Sequence, residues 1–506
     1  MLQIKNLSIT HTTTQHLLLQ DLSFSLRAFD KVALISEEGN GKSTLLKAIA
    51  DFESIQDYVQ ITGEIVSSSV IGYLPQSMSP KDLEKTVTGY LEPAYPYEYQ
   101  SLFAQFDLTL IDERLRLKQI SGGERIKIQM VKLLLQQPDI LLLDEPSNDL
   151  DLASLNWLQT FINDFKGGIL FVSHDEVLLE QCANVILHLE QIKRKTQPQT
   201  TFVKMSYRQY ITFRQQQISK QTQVAKKQRQ QHRQQLERHQ QIQQKVAHRQ
   251  RHISRQDPHG GYLLKKKMKS LKAQERRFDR EEQQFIAIPE SEEAIITRFD
   301  PKVRVANGQV VLDYQCDRLT IGEKVLAENV HLYVQGPTKV GIIGSNGVGK
   351  STLLKQLVEL LQASHFSVGY MSQNYQEMVD FQQPILDYLA IDQKAETVTM
   401  VRNFLGTMRF TSTEMEKTFG QLSGGQQAKV LFLKMVLDQC KVLILDEPTR
   451  HFSPLSAPVV RQALIDFKGA IIAVSHDRTF LSEVCDLVYE LTKDGLKLVD
   501  FSSFEG

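Results

Sequence analysis

The chain has 506 residues, 41% hydrophobic and 23% charged, with 59 basic and 59 acidic side chains and a formal net charge of zero. That is long enough for two or three domains with separate cores, in a composition ordinary for a soluble globular protein. No apolar run reaches the roughly 18–20 residues of a membrane span. The opening MLQIKNLSIT has no basic stretch followed by an apolar one, as a signal peptide would. Cys182, Cys316, Cys440 and Cys485 have neither metal-site nor redox spacing, so a reducing cytoplasm with no membrane partner is expected.

In chain order, the first strong signal is KVALIS, an apolar run that reads as a buried strand. SEEGNGKST follows, from Ser36 to Thr44. Its Gly39, Asn40, Gly41, Lys42, Ser43 and Thr44 are the core of a phosphate-binding loop. Such a loop turns backbone N–H groups onto a triphosphate, sends Lys42 to the β and γ phosphates, and offers Ser43 to Mg²⁺. The loop is altered, because Ser36 stands where a first glycine belongs and Glu37 and Glu38 lie beside the phosphates. Gln76, in GYLPQ, is placed for a Mg²⁺ or water contact.

SGGE then opens a helical pattern, so Ser121, Gly122 and Gly123 sit at a helix N-terminus able to receive an anion. DILLLDE ends a buried strand on two acids. Asp144 is placed to hold Mg²⁺ through water, and Glu145 to orient or deprotonate the attacking water. After a further strand, GILFVS, His174 in VSHD faces the γ-phosphate side.

From Gln199 to Asp257 there is neither glycine nor proline. The stretch predicts a helix of roughly 45–50 residues, about 70 Å long. Ile211, Ile218, Ala225, His232, His239, Val246 and Ile253 recur every seven residues. Leu264, Leu271, Phe278 and Phe285 do the same after a turn expected at Asp257-Pro258 and Gly260-Gly261. The pattern is a helical hairpin with a thin seam. Thr201 to Arg280 holds 21 Lys and Arg against 4 Asp and Glu, a net of +17, so the remainder carries −17. A basic rod with Arg255, His259, Tyr262, Lys265, Lys266 and Lys267 around its tip, near 254–264, suits phosphate backbones and unpaired bases.

Beyond the rod the first series repeats in the same order about 300 residues on. KVGIIG leads into GSNGVGKST, a complete phosphate loop with Gly344, Asn346, Gly347, Gly349, Lys350, Ser351 and Thr352. Gln373 follows in GYMSQ, then Ser423, Gly424 and Gly425 in SGGQ, Asp446 and Glu447 in LILDE, and His476 in VSHD. Ser351, Gln373 and Asp446 are the second set of Mg²⁺ candidates. The duplication predicts three parts: 1–195, a connector 196–297 and 298–506. Each copy is an α/β nucleotide-binding domain. Within one copy a second anion site has no evident use; across a pair, each signature can close on nucleotide held by the other copy.

Loop, Gln, SGG signature, Asp-Glu strand and His in this order resemble ATP-binding cassette domains over both copies. Two cassettes, no membrane span and a long charged linker resemble the ABC-F family. That resemblance implies a head-to-tail sandwich within one chain, two ATPs with Mg²⁺ at its interface, and ATP hydrolysis. The Lys42, Asp144, Glu145 and His174 set would face signature two, and the Lys350, Asp446, Glu447 and His476 set signature one. It further implies a ribosome partner, with the linker at the exit-tRNA site, near large-subunit rRNA and the tRNA acceptor end. Gln76 to Ser121 spans 45 positions, Gln373 to Ser423 spans 50, and 30 residues follow His476. With no large arm and no C-terminal coiled coil expected, and with DEPTRHFSPLS as a divergent D-loop, the resemblance leans to the antibiotic-resistance branch. A housekeeping factor for stalled ribosomes, a transporter ATPase with separate membrane subunits, and a DNA-associated cassette ATPase stay open. The altered residues Arg450 and Ser453 stand where the first copy has Asn148 and Asp151. They are expected to meet the Lys42 site, with Arg450 offsetting Glu37 and Glu38 and the Lys350 site turning over faster.

Overall fold

The computed structural model describes residues 1–13, 15–92, 96–148, 150–192, 197–252, 258–283, 285 and 299–500. It divides into two compact units, Met1–Tyr207 with Glu292–Gly506, and Arg208–Ser291. The first unit holds both cassettes and the second is the linker.

Each cassette is built on a six-stranded sheet. In the first the order is Ile71–Leu74, Ile140–Asp144, Gly168–Val172, Lys31–Ser36, Val185–Ile192, Gln197–Val203. In the second it is Val368–Met371, Val442–Asp446, Ala470–Val474, Lys339–Ile343, Leu487–Thr492, Gly495–Val499. The first five strands of each run parallel and the last pairs antiparallel. Parallel strands are covered on both faces, which is why KVALIS and ILLLD read as unbroken apolar runs and are buried throughout.

The helix after each phosphate loop, Lys42–Ala50 and Lys350–Gln362, packs between this sheet and an antiparallel one. The antiparallel sheet has three strands in the first cassette and two in the second. Leu45 and Leu46, with Leu353 and Leu354, are fully buried there. Truncating any of them to Ala would cost about 2–5 kcal/mol, so the loops are anchored from behind by core. Gly41 and Gly349 cap these helices at φ 87° and 109°, left-handed values that an L side chain resists.

The strand Gln197–Val203 closes the edge of the first sheet, so this cassette extends past the expected boundary at 195. The linker unit, Arg208–Ser291, lies inside the expected 196–297.

The linker carries the helix Tyr207–His252, 46 residues and so about 69 Å, and the helix Pro258–Gln283. Ala225, His232, His239, Val246 and Leu271 are buried in its seam. His232 meets Phe278 and Phe285 edge-on at centroid distances of 5.8 and 4.9 Å, and His239 meets Phe278 at 5.5 Å. His239 Nε2 is 3.0 Å from the Leu271 carbonyl oxygen. The predicted turn differs at one end. Gly260 and Gly261 lie inside the second helix, which starts at Pro258, a residue suited to the first helical position. Ile253, Arg255 and Asp257 fall outside the described residues. Of the other tip candidates, His259 falls within the second helix, Tyr262 is 64% exposed, and Lys265, Lys266 and Lys267 are exposed.

Candidate active site

The second phosphate loop opens onto a cavity of about 550 Å³, within the range that holds a nucleotide-sized ligand. Asn346, Gly347, Gly349, Lys350, Ser351 and Thr352 form one side of its wall, and Gln373, Glu447 and His476 another. Ile321 and Leu326 add an apolar platform that motif reading did not find. The first cassette closes the wall with Ser147, Asn148, His174 and Asp175. Ser121, Gly122 and Gly123 of the first signature are not among the described residues of that wall.

Lys350 is buried, and its Nζ donates to the Gly344 and Ser345 carbonyls at 2.6 and 3.1 Å. Burial pulls its pKa below the ordinary value, with Glu447 and Asp446 opposing. Such an ammonium gains from an anion, and the two carbonyls are exchangeable for phosphate oxygens.

Glu447 follows its strand at φ 53°, and Glu145 has the same value. A non-glycine residue held in this sparse region is strain retained by the fold at both equivalent places. Burial first, and Asp446 next, push the Glu447 carboxyl up to about 7. A base of that strength is near the optimum for taking a proton at neutral pH. His476 Nε2 stands 3.9 Å from Glu447 Oε1, and the His476 backbone N–H donates to Oε2 at 3.3 Å.

Glu145 is arranged otherwise. Its Oε1 is 2.8 Å from His174 Nε2, and His174 Nδ1 lies 2.7 Å from the Phe452 carbonyl oxygen of the second cassette. A carbonyl only accepts, so Nδ1 carries the hydrogen. Burial opposes the charge on Glu145, but the charge and hydrogen bond of His174 outweigh it and hold the carboxyl below its usual range. This glutamate is part of an interface relay.

Between Glu37 and Glu38 of the first loop and the second signature lies a space of about 40 Å³, lined also by Ser423, Gly425, Gln426, His451, Phe452 and Ser453. Glu38 Oε2 accepts from the Gly425 backbone N–H at 2.5 Å, at the start of the second signature helix. Arg409 Nη1 is 3.4 Å from Glu37 Oε1, and His451 Nδ1 is 3.9 Å from Glu38 Oε1. Lys429 lines the same space. Arg450, expected to offset these acids, lines the wide cavity with Glu447, and its charge and that of Glu38 both act on Tyr375 and on His451. Lys42 Nζ donates to the Ser36 carbonyl at 3.3 Å. Gly39 and Gly41 keep φ of 80° and 87°, matching Gly347 and Gly349, while Gly344 at 151° has no left-handed counterpart at Ser36. Asn40 is buried with Nδ2 3.5 Å from the Leu189 carbonyl oxygen, and Ser43 and Thr44 start the helix behind the loop.

The signature serines cap their helices. Ser121 and Glu124 form a reciprocal capping box, as do Ser423 and Gln426. This accounts for the acid or amide three residues after each serine. In the second signature, a Cβ on Gly425 would lie 2.7 Å from the His451 carbonyl oxygen and 3.2 Å from Glu38 Oε2, so only glycine admits this approach.

Asp144 Oδ1 and Asp446 Oδ2 are buried without a protein partner. A hydrogen bond to Ser43 acts on Asp144 and one to Ser351 on Asp446, while burial raises both carboxyls. A hydroxyl beside a buried carboxylate with a spare oxygen fits Mg²⁺, which keeps waters and takes its remaining ligands from phosphates. Gln373 lies in the wall of the wide cavity, and Gln76 is exposed after its strand.

The cassettes are also tied away from the loops. Arg461, 3% exposed, donates to Glu176 of the first cassette at 2.7 and 3.1 Å and to Glu483 at 2.7 Å. Neither this pair nor Arg409 and His451 carries a motif that would have marked it.

The family model described as ABC transporter matches residues 19–148 and 327–450. ATP-binding protein YdiF of Bacillus subtilis is 28% identical over 95% of this chain and 78% of its own length. ATP-binding protein Uup of Buchnera aphidicola is 26% identical over 100% and 83%. Ribosome protection protein VmlR of Bacillus subtilis is 26% identical over 97% and 87%. Among solved structures, an archaeal ribosome recycling factor, aABCE1, in complex with the stalk protein aP1, shares the fold at a TM-score of 0.60. It is 15% identical over 96% of this chain and 87% of that one. No helix among the described residues is long and apolar enough to cross a membrane. The chain belongs to the ABC transporter family, as a twin-cassette ATPase of the ABC-F type.

Proposed function

We propose that this ATPase binds the ribosome when its cassettes hold ATP and uses its linker to protect translation from ribosome-targeting antibiotics. The observation that carries the reading is the linker: a two-helix rod, net +17 over Thr201–Arg280, with Tyr262 and Lys265 to Lys267 exposed. Stability of a hairpin needs no sign bias, whereas phosphate backbones do. An exposed tyrosine among lysines adds a surface on which unpaired bases stack. The similarity to a ribosome protection protein over nearly the whole chain supports the same reading. The partners are then large-subunit rRNA and tRNA near the exit-tRNA site and the peptidyl-transferase centre, met in the cytoplasm by a monomer whose two cassettes pair with each other.

In this reading Lys350 and the loop amides hold the β and γ phosphates, and Glu447 takes the proton of the attacking water. His476 keeps that water and the γ-phosphate in place. Ser351 and Asp446, with Gln373, would hold Mg²⁺, which neutralises charge developing on the phosphates. A relative of equal identity whose name does not mention ribosome protection, Uup, leaves room for a second reading, a housekeeping factor for stalled ribosomes.

The test is drug susceptibility of a sensitive host with the gene, without it, and with Tyr262→Ala combined with alanine at Lys265, Lys266 and Lys267. Resistance to lincosamides, streptogramins A or pleuromutilins that requires the tip is the expected result. Unchanged susceptibility in all three, with stalling relieved by the intact gene, would move the assignment to the housekeeping factor.

A further inference from the structure

The two halves of the cassette interface are not equivalent. A 550 Å³ cavity opens at the second loop, whereas Glu37 and Glu38 of the first loop face the second signature across a gap of about 40 Å³. What fills that gap is protein. The Glu38 carboxylate sits on the Gly425 amide, at the end of a 14-residue helix where amide N–H groups and the helix dipole favour an anion. His451 stands on its other side and Arg409 holds the neighbouring Glu37. The 40 Å³ left between Glu38 and the second signature has room for water and not for a phosphoryl group. Yet the inner part of this loop is kept: Gly39 and Gly41 retain their left-handed turns, Lys42 and Ser43 are in place, and Asp144 retains an oxygen with no protein partner. The general-base position is also committed, since Glu145 is held by His174 and, through it, by Phe452.

From this geometry we propose that the Glu38 carboxylate takes the place of a terminal phosphate at the second signature, so that the first loop holds a nucleoside diphosphate and its half of the interface stays closed while the Lys350 half turns over. The proposal rests on the reading of the Lys350 half as an ATP site. It predicts that a triphosphate at the first loop would have to displace a carboxylate from Gly425 and bring its own negative charge beside Glu37 and Glu38. The second loop carries Ser345 and Asn346 at the matching positions and meets no such obstacle.

The experiment is native mass spectrometry of the full chain with ADP and a non-hydrolysable ATP analogue, both with Mg²⁺. Wild type is expected to carry one triphosphate and one diphosphate. Lys350→Ala should lose the triphosphate and keep the diphosphate. Glu38→Asn, and independently the size-conserving Glu38→Gln, should accept a second triphosphate on a substantial share of molecules. In the Lys350→Ala background, either Glu38 change should lower a diphosphate preference of at least about 10-fold to near parity, the scale expected when one close like charge is removed. Two triphosphates on wild type, or a triphosphate retained by Lys350→Ala, would overturn the proposal while leaving ATP binding intact. A single triphosphate on both Glu38 variants would overturn the role of Glu38. No triphosphate on wild type would overturn the ATP-site reading and the proposal with it.

Discussion

Replacing Glu447 by Gln should nearly abolish ATP turnover, and replacing Glu145 by Gln should barely change it. The two residues follow equivalent strands at the same φ of 53°, so local backbone does not distinguish them. Their surroundings do. Glu447 faces a 550 Å³ cavity, and burial and Asp446 push its carboxyl up to about 7, which raises its proton affinity toward that of an effective general base. Loss of a general base costs about 10²–10⁴ in rate, so turnover by Glu447→Gln should fall by at least about 100-fold. Glu145 is tied to His174 at 2.8 Å, and His174 in turn to the Phe452 carbonyl oxygen. Its loss should cost about threefold or less, the effect of loosening one interface hydrogen bond at the lower end of the usual range of roughly 0.5–1.5 kcal/mol. The assay is steady-state phosphate release by the full chain at saturating ATP and Mg²⁺. KM is measured for each variant, so that a binding defect is not mistaken for a chemical one. Equal losses, or a larger loss for Glu145→Gln, would refute the assignment of hydrolysis to the Lys350 half.

Further outcomes follow from the same geometry. Ribosome binding should weaken steeply with salt; if the linker neutralises six to ten phosphates, affinity should fall roughly 10³–10⁵ between 50 and 200 mM, and filter binding across that range checks it. Replacing Lys265, Lys266 and Lys267 by Glu should flatten that salt dependence while leaving ribosome-free ATP turnover within about twofold, since the exposed lysines have no place in the phosphate chemistry. Arg461→Ala should lower the thermal midpoint by several degrees: it strands Glu176, whose carboxyl burial already pushes up despite Arg461 beside it, and breaking a buried pair costs about 3–5 kcal/mol. Arg461→Lys should recover only part of that loss, because one ammonium cannot serve Glu176 and Glu483 in the forked geometry observed.

The central strands were legible because parallel strands buried on both faces must be apolar at every position, as in ILLLD and VLILD. The phosphate loops were legible because left-handed turns need glycine at fixed spacing. The hairpin was legible because its seam repeats every seven residues, and even His232 and His239 fell in register with the aromatic rings they meet. Gly260 and Gly261 were read as a turn, but Pro258 fixes the first helical φ and the helix absorbs both glycines. The unusual acids Glu37 and Glu38 stood out in the sequence, yet their partners did not. Arg409 is 372 residues from Glu37, and nothing local marks a residue that acts only after two cassettes meet. His451 was missed for the same reason: its neighbour Arg450 drew the reading by its charge, while the contact with Glu38 falls to His451 Nδ1 at 3.9 Å.

The most direct test of the account is co-sedimentation of the Glu447→Gln protein with ribosomes on a sucrose gradient at low salt, with ATP and Mg²⁺. The account predicts that this variant, able to bind ATP but not to hydrolyse it, stays with the ribosomal fractions. It should return to the top of the gradient with ADP alone or when the linker lysines are reversed in charge. Protein that remains at the top with ATP, although nucleotide binding is intact, would contradict the claim that this ATPase acts on the ribosome.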